Sequence, residues 1–252
     1  MGRPIFLYTD YGTNGFYVGQ LHAAILSSQE TSAASPAIDL MHDVPAHDIK
    51  AAAYLLAALV PYLPEDAVIV GVVDPGVGGE RPPVVVECDG RMLVGPGNGM
   101  FDIACRRAST SARHLLTWRP DHLSASFHGR DLFAPAAAQI ASSMDWRKTL
   151  VDSQPSIASP DTSDWPDDLP EAIYIDGFGN VMTGCRASLL PDDGTVAVRG
   201  RPLPRATTFS DMHVGEAFWY ENSIGLIEIA VNQGRASDLL DLRIGATISL
   251  AG

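Results

Sequence analysis

One seven-residue segment, Ala67 to Val73, constrains the fold of this chain more than any other. The segment is apolar throughout and rich in β-branched side chains, and Asp74-Pro75-Gly76 follows it directly. Strands of this kind are buried on both faces, which is typical of a parallel sheet covered by helices. The segment therefore predicts an α/β layer structure with polar residues at the carboxyl end of a buried strand.

Strands and helices alternate around this segment in the first half of the chain. Apolar residues recur at helical spacing from Phe16 to Ser27, and Asp48 is placed to cap a helix over Ile49–Val60. Asp89-Gly90 lies between two short apolar runs and predicts a β-hairpin. The other predicted elements are strands at Pro4–Thr9, Ala37–Met41, Val84–Glu87 and Met92–Val94, and a helix at about Asp131–Met144.

The composition changes over residues 152–170, where Ser, Pro and Asp dominate and no basic residue occurs. We predict an α/β N-terminal domain over 1–151, with a sheet flanked by helices, a linker over 152–170, and a smaller, mainly β C-terminal domain over 171–252. The C-terminal strands are predicted at Ala172–Asp176, Thr195–Val198, Ala217–Tyr220, Leu226–Val231 and Ala246–Leu250.

The charge of the chain excludes two classes of partner. The formal net charge is −13, from 17 basic and 30 acidic residues. Nucleic acids and anionic lipid surfaces both require a basic footprint, so we expect neither. The apolar run Ala51–Val60 is too short to span a membrane, and the N-terminus becomes polar too soon for a signal peptide. Cys88, Cys105 and Cys185 form no Cys-x-x-Cys motif, so we expect neither a disulfide framework nor a zinc site, and a reduced, cytoplasmic protein.

Six polar clusters follow predicted strands or precede a helix. Because ligands of open α/β sheets bind outside the carboxyl ends of strands, these clusters are the candidates for a site. They are Thr9-Asp10-Tyr11-Gly12, Val73-Asp74-Pro75-Gly76-Val77-Gly78, Val94-Gly95-Pro96-Gly97-Asn98-Gly99, Ser126-Phe127-His128-Gly129-Arg130-Asp131, Asp176-Gly177-Phe178-Gly179-Asn180 and Asn222-Ser223-Ile224-Gly225.

Each cluster alone is also consistent with a turn. Asp10 could grip a ribose diol or form an Asx turn. Arg81 could pair with Asp74 or lie solvated on a loop. His128 precedes a predicted helix, which suits a catalytic loop, yet a single histidine is more often an ordinary surface or core residue.

Two other chemistries lack their residues. No Gly-Lys-Ser/Thr follows the glycines, so a phosphate-binding loop is not expected. The histidines form no helical His-x-x-x-His pair with a carboxylate, so a metal hydrolase lacks its ligands.

Taken together and in this order, the six clusters resemble the S-adenosylmethionine hydrolases, also called S-adenosylmethionine hydroxide adenosyltransferases, which are relatives of fluorinase and chlorinase. The blocks that carry the resemblance are Asp-Pro-Gly-Val-Gly at Asp74, Phe-His-Gly-Arg-Asp at Phe127 and Phe-Gly-Asn at Phe178. It extends from Thr9 to about Ala236, without the linker. One departure is Thr183-Gly184, where relatives often have Thr-Asn.

The resemblance implies a homotrimer in which each ligand lies between the N-terminal domain of one subunit and the C-terminal domain of the next. It implies that Asp10 holds the ribose, and that Asp74, Arg81 and His128 form a catalytic water site. The implied substrate-binding residues also include Phe127, then Asp176, Asn180 and Ser223 at the methionine end, and Phe178, Phe209 and the strand from Glu228 to Val231 near the adenine.

The implied reaction is attack of an activated water at C5′ of S-adenosylmethionine, which gives adenosine and L-methionine. The sulfonium is already a good leaving group, so we expect neither a metal nor a cofactor, and S-adenosylmethionine is the substrate. Halogenases of the family have Tyr at the position of Asp74, and fluorinase has Ser at that of Gly129. A halogenase is therefore disfavoured, and a non-catalytic sensor of S-adenosylmethionine or adenosine is the other alternative.

Overall fold

The computed structural model describes residues 2–29, 34–142, 145–152, 161–191 and 193–251. The chain divides into two compact units, Met1–Thr162 and Ser163–Gly252. The N-terminal unit is α/β and the C-terminal unit is built from antiparallel strands, so the predicted fold class is confirmed.

The N-terminal unit is built on a six-stranded sheet of order β2-β1-β3-β5-β4-β6. Its strands are β1 (Ile5–Thr9), β2 (Ala37–Met41), β3 (Val68–Val72), β4 (Pro83–Cys88), β5 (Arg91–Pro96) and β6 (Ser111–Leu115). All five residues of β3 are buried, as its uninterrupted apolar sequence predicts. The sheet is mixed, because β4 runs antiparallel to both β5 and β6.

Helices cover this sheet. They are α1 (Tyr17–Ser27), α2 (Ile49–Leu59), α3 (Asp102–Arg107), α4 (Ala134–Ser142) and α5 (Trp146–Leu150), and a π-helical turn at Gly129–Phe133 leads into α4. Asp48 caps α2 as predicted, since its carboxylate accepts a hydrogen bond from the Ala51 amide at 2.9 Å. Met144, the predicted end of the fourth helix, lies outside the described residues.

The Asp89-Gly90 hairpin is confirmed. Both residues have positive φ, 47° and 87°, which is the backbone of the two-residue turn that matches strand twist. Three elements escaped prediction: β6, α3 and α5. β6 pairs with β4 at the sheet edge, but its sequence Ser-Ala-Arg-His-Leu lacks the apolar alternation that marks a strand.

The C-terminal unit contains two antiparallel sheets, of order β11-β12-β8-β7 and β10-β9-β13. The strands are β7 (Leu169–Ile175), β8 (Val181–Arg186), β9 (Thr195–Val198), β10 (Arg201–Leu203), β11 (Ala217–Glu221), β12 (Leu226–Val231) and β13 (Ser249–Ala251). A short helix, α6 (Ala236–Leu239), follows β12. β8 and β10 were not predicted.

The linker prediction differs from the structure where it can be compared. Residues 153–160 lie outside the described part of the chain. Beyond them, Thr162 is buried and its hydroxyl donates to Asp102 at 2.9 Å, while Leu169 and Pro170 already belong to β7. Polar composition predicts a loop, but it cannot predict an individual buried hydrogen bond such as that between Thr162 and Asp102. Across the described ranges, no helix combines the length and the apolar character needed to cross a membrane.

Candidate active site

A cavity of about 270 Å³ opens at the carboxyl ends of β1 and β3 in the N-terminal unit. Asp10 immediately follows β1, and Asp74 comes two residues after β3. Because neighbouring parallel strands end at the same edge of a sheet, both carboxylates reach this cavity. The lining residues relevant to chemistry are Asp10, Tyr11, Tyr17, Asp74, Phe127 and His128.

Arg81 joins two of the predicted water-site residues. Its Nε lies 3.0 Å from each carboxylate oxygen of Asp74, and its Nη2 donates to Oδ2 as well. The same Nη2 donates to Nδ1 of His128 at 2.9 Å. The Asp74 and Arg81 side chains are only 5% and 11% exposed, so this pair is shielded from solvent. The arrangement decides against a solvated Arg81.

The contact with Arg81 fixes the protonation of His128. A guanidinium only donates hydrogen bonds, so Nδ1 must accept, and the neutral ring carries its proton on Nε2. Burial and the nearby Arg81 charge lower the pKa of His128 below its ordinary value, against the opposing effect of Asp74. The ring is therefore neutral near pH 7.

Hydrogen bonds from a second loop hold Asp10 in place. The backbone amide of His47 donates to Oδ2 of Asp10 at 3.0 Å. Residue Thr9 is completely buried, and its hydroxyl lies 2.8 Å from Nδ1 of His42. The carbonyl of His42 accepts from the Gly12 amide at 2.6 Å. These bonds connect the segments 9–12 and 42–47, so the Asp10 carboxylate is held at the cavity rather than free in a turn.

An aromatic cluster forms one side of the cavity. The ring of Phe127 contacts Tyr11 and Tyr17 edge-on, with centroid distances of 5.7 and 5.3 Å. A Cβ added to Gly129 would clash with the Tyr11 hydroxyl oxygen, so the tyrosine occupies the space above this glycine. Neither tyrosine was predicted as a site residue: Tyr11 was named only within its polar cluster, and Tyr17 was not named. Their only signal was position, next to Asp10 and at the start of a helix.

A second, larger cavity of about 820 Å³ lies within the C-terminal unit. It brings together all the substrate-binding residues predicted in that half of the chain. They are Asp176, Phe178, Asn180, Phe209, Ser223, Glu228 and Val231. Tyr220, Asn222 and Arg235 also line it and were not predicted as site residues; Tyr220 and Arg235 lay outside the polar clusters.

Asp176 and Asn180 build the turn between β7 and β8. Oδ1 of Asp176 accepts from the amides of Phe178 and Asn180, each at 2.9 Å, and Oδ2 accepts from the Asn180 side chain at 2.9 Å. The turn leaves the Phe178 ring 78% exposed at the cavity. Asp176 is therefore rigidly placed, and its carboxylate already has three donors.

Glu228 lies on β12 at the cavity and is 2% exposed. The Tyr220 hydroxyl donates to its Oε1 at 2.6 Å and the Asn222 side chain donates to its Oε2 at 2.9 Å. Burial raises the pKa of Glu228, and the charge of Asp176 adds to the effect, although the two hydrogen bonds oppose it. Phe209 packs edge-on against the Tyr220 ring at 5.5 Å.

Family models match both halves of the sequence. The model of the SAM hydroxide adenosyltransferase N-terminal domain, where SAM is S-adenosylmethionine, matches residues 5–149, and that of the C-terminal domain matches residues 170–249. The chain belongs to the SAM hydroxide adenosyltransferase family.

Relatives of this family member are similar along nearly their whole length. It is 37% identical to the (R)-S-adenosyl-L-methionine hydrolase of Salinispora tropica over 251 residues, which cover 94% of this chain and 93% of that one. It is 35% identical to the hydrolase of the same name from Thermus thermophilus, covering 98% and 99%.

Two solved structures are similar to this SAM hydroxide adenosyltransferase family member over nearly its whole length. An uncharacterized conserved protein from Thermotoga maritima has a TM-score of 0.83 at 27% identity, with 98% of this chain and all of that one covered. A conserved hypothetical protein from Thermus thermophilus has a TM-score of 0.77 at 34% identity, covering 99% and 100%.

The side chains of this family member offer no evident metal centre in the part that the structure describes. No group of three or more His, Cys, Asp or Glu residues within the described ranges is arranged to hold a metal ion. The polar side chains brought together are instead Asp74, Arg81 and His128, with Asp10 at the same cavity.

Proposed function

We propose that this protein hydrolyses S-adenosylmethionine to adenosine and L-methionine. The single observation that carries the proposal is the Asp74–Arg81–His128 cluster at a cavity that also contains Asp10. Its full-length relatives are named (R)-S-adenosyl-L-methionine hydrolases, which agrees with that chemistry. No cofactor and no metal is part of the proposal.

The reaction requires one positioned water. Its oxygen attacks C5′ in line with the sulfur, the C5′–S bond breaks, and its electron pair stays on the sulfur of methionine. One water proton remains on the new 5′-hydroxyl and the other must be removed. Positioning of this kind can contribute several kcal/mol to catalysis.

In the proposed mechanism, the two residues bound by Arg81 have separate roles. Because Nδ1 of His128 is occupied by Arg81, Nε2–H is the group left to donate a hydrogen bond to the water oxygen. Asp74 is then the group that accepts the water proton. The Arg81 charge stabilises hydroxide character in the nucleophile and keeps the carboxylate oriented.

The binding residues suggest a division of the substrate. Asp10 offers a carboxylate for the ribose hydroxyls beside the aromatic ring of Phe127. In the C-terminal unit, Asp176, Asn180 and Ser223 provide polar groups for the methionine ammonium and carboxylate. Phe178, Phe209 and the β12 residues Glu228 and Val231, which line the same cavity, provide surfaces for the adenine.

We also propose a homotrimer in which each substrate is held by two subunits, because catalytic and binding residues are divided between two cavities in separate units. Mixing two inactive variants, His128→Ala and Asn180→Ala, should restore activity if sites are shared between subunits. No recovery after co-refolding, or a fully active monomer in ultracentrifugation, would contradict the trimer.

The hydrolysis itself is tested with purified protein in ¹⁸O-water. The expected result is release of methionine and adenosine with one ¹⁸O atom in the 5′-hydroxyl. Binding of S-adenosylmethionine without release would indicate a sensor. Formation of 5′-chloro-5′-deoxyadenosine in chloride would indicate a halogenase. The Asp74→Ala variant is the negative control.

A further inference from the structure

Two cysteines that are distant in sequence lie side by side in the N-terminal unit. The sulfurs of Cys88, the last residue of β4, and Cys105, in the middle of α3, are 3.6 Å apart although 17 positions separate them. The turn after Cys88 is fixed, since the Asp89 carboxylate accepts from the Ser109 and Thr110 amides. The residue after Cys88 is therefore tied to the segment that follows α3.

The two thiols differ in exposure and in the direction of their pKa shifts. Cys88 is 1% exposed, whereas Cys105 is partly accessible. The contact with Cys88 and the nearby Arg113 charge lower the pKa of Cys105 against the opposing effect of burial, whereas the same contact and burial both raise the pKa of Cys88. A thiolate is the nucleophile in cysteine oxidation, so Cys105 is the residue that reacts first.

We propose that Cys88 and Cys105 form an oxidisable pair, which hydroperoxides convert to a disulfide. The Cys105 thiolate attacks hydrogen peroxide, breaks its O–O bond and, with uptake of one proton, becomes a sulfenic acid while one water leaves. The Cys88 thiol then attacks the sulfenic sulfur and a second water leaves. In total, two thiols lose two electrons and two protons to one peroxide.

The pair lies at the opposite end of the strands from the candidate active site. Asp74 follows the carboxyl end of β3, and β5 runs parallel to β3. Cys88 pairs with Arg91 at the beginning of β5, whereas the candidate active site lies beyond the carboxyl ends of the parallel strands. The length of a six-residue strand, about 20 Å, therefore separates the cysteine pair from that end of the sheet. Closure joins β4 to α3 and changes no catalytic contact. It therefore stabilises the N-terminal unit and leaves the reaction rate unchanged.

The test treats the full-length protein with hydrogen peroxide, blocks remaining thiols with iodoacetamide and maps the peptides by mass spectrometry. The expected product is a Cys88–Cys105 cross-linked peptide, about 2 Da lighter than the two thiols and lost on reduction with dithiothreitol. Thermal unfolding of the oxidised protein should shift upward by roughly 5–10 °C, as expected for closing a loop of this length.

Single Cys88→Ser and Cys105→Ser variants should show neither the cross-link nor the thermal shift, whereas Cys185→Ser should retain both. Cys185 is the matched control, since it is buried in the C-terminal unit. The wild-type peptide map does not depend on whether these variants fold. A map in which Cys105 is oxidised to the sulfinic acid, or not at all, with no cross-link overturns the proposal.

Discussion

Nη2 of Arg81 lies 2.9 Å from Nδ1 of His128, and the same guanidinium binds both oxygens of Asp74. One side chain thus orients the other two, and none of the three acts independently. Arg81 also lies over the Phe133 ring at 5.4 Å, so its fork is held by packing as well as by charge.

Substitution of any member of this cluster should slow chemistry more than it weakens binding. Asp74→Ala and His128→Ala each remove a group that contacts the nucleophile in the proposed mechanism, and Arg81→Ala removes the charge that stabilises it, so each should reduce single-turnover methionine release by about 10²-fold or more. Double variants should fall short of the product of the single effects, because all three act on one water. Release at the parent rate from all three would contradict the water site.

The protonation of His128 gives a pH prediction. Burial lowers its pKa below the ordinary 6.5, and Arg81 adds to this effect because a proton added on Nδ1 would face the guanidinium. The unfolded chain binds this proton at higher pH than the folded one, so this group lowers the free energy of unfolding as pH falls below 6.5. The resonance of His128, identified by its loss in His128→Gln, should titrate below 6.5 by NMR. A midpoint at or above that ordinary value would contradict the assignment.

Asp10→Ala should mainly weaken binding of adenosine. A carboxylate that accepts two ribose hydroxyls contributes about 2–4 kcal/mol, with incomplete additivity. Calorimetry measures this loss. Asp48→Ala is the matched control, since it removes a carboxylate that caps α2 and should lower thermal stability without changing affinity. Equal affinities for the parent and Asp10→Ala would count against a ribose contact.

Gly129→Ala should be destabilising because of one neighbour. The added Cβ would clash with the Tyr11 hydroxyl, and overpacking of this kind costs about 1–3 kcal/mol. Tyr11→Phe removes that oxygen and should restore most of the lost stability in the double variant. A double-mutant cycle of thermal unfolding measures the coupling. Additive effects would show that the steric contact is relieved elsewhere.

Glu228→Gln should stabilise the C-terminal unit at neutral pH. Burial raises the pKa of this carboxyl, so its contribution to folding is greatest in acid and is lost as pH rises through the folded-state pKa. The amide of Gln stays neutral, so the variant does not lose stability in this way as pH rises. The difference in thermal unfolding midpoint between Glu228→Gln and the parent protein should therefore increase with pH. Thermal unfolding midpoints between about pH 4 and pH 8 test the trend; a constant or opposite difference would contradict it.

Local sequence was sufficient to predict those elements that one short-range feature determines. The apolar run at Ala67–Val73 predicted the buried central strand, Asp48 the cap of α2, and Asp89-Gly90 the hairpin, because burial, capping and positive φ each act within a few residues. The polar clusters, taken together, indicated the family. They left open whether Arg81 pairs with Asp74, and β6 gave no recognisable pattern.

Only the tertiary structure determined which distant residues meet. The Arg81 fork between Asp74 and His128, the Tyr11 hydroxyl over Gly129, and the Cys88–Cys105 contact each join residues from separate strands, loops or helices. Sequence spacing sets periodicity within one element, but strand order and register decide which elements become neighbours. Those long-range pairings convert isolated turn motifs into a site, because hydrogen bonds and steric contacts act over a few ångströms of space whatever the separation along the chain.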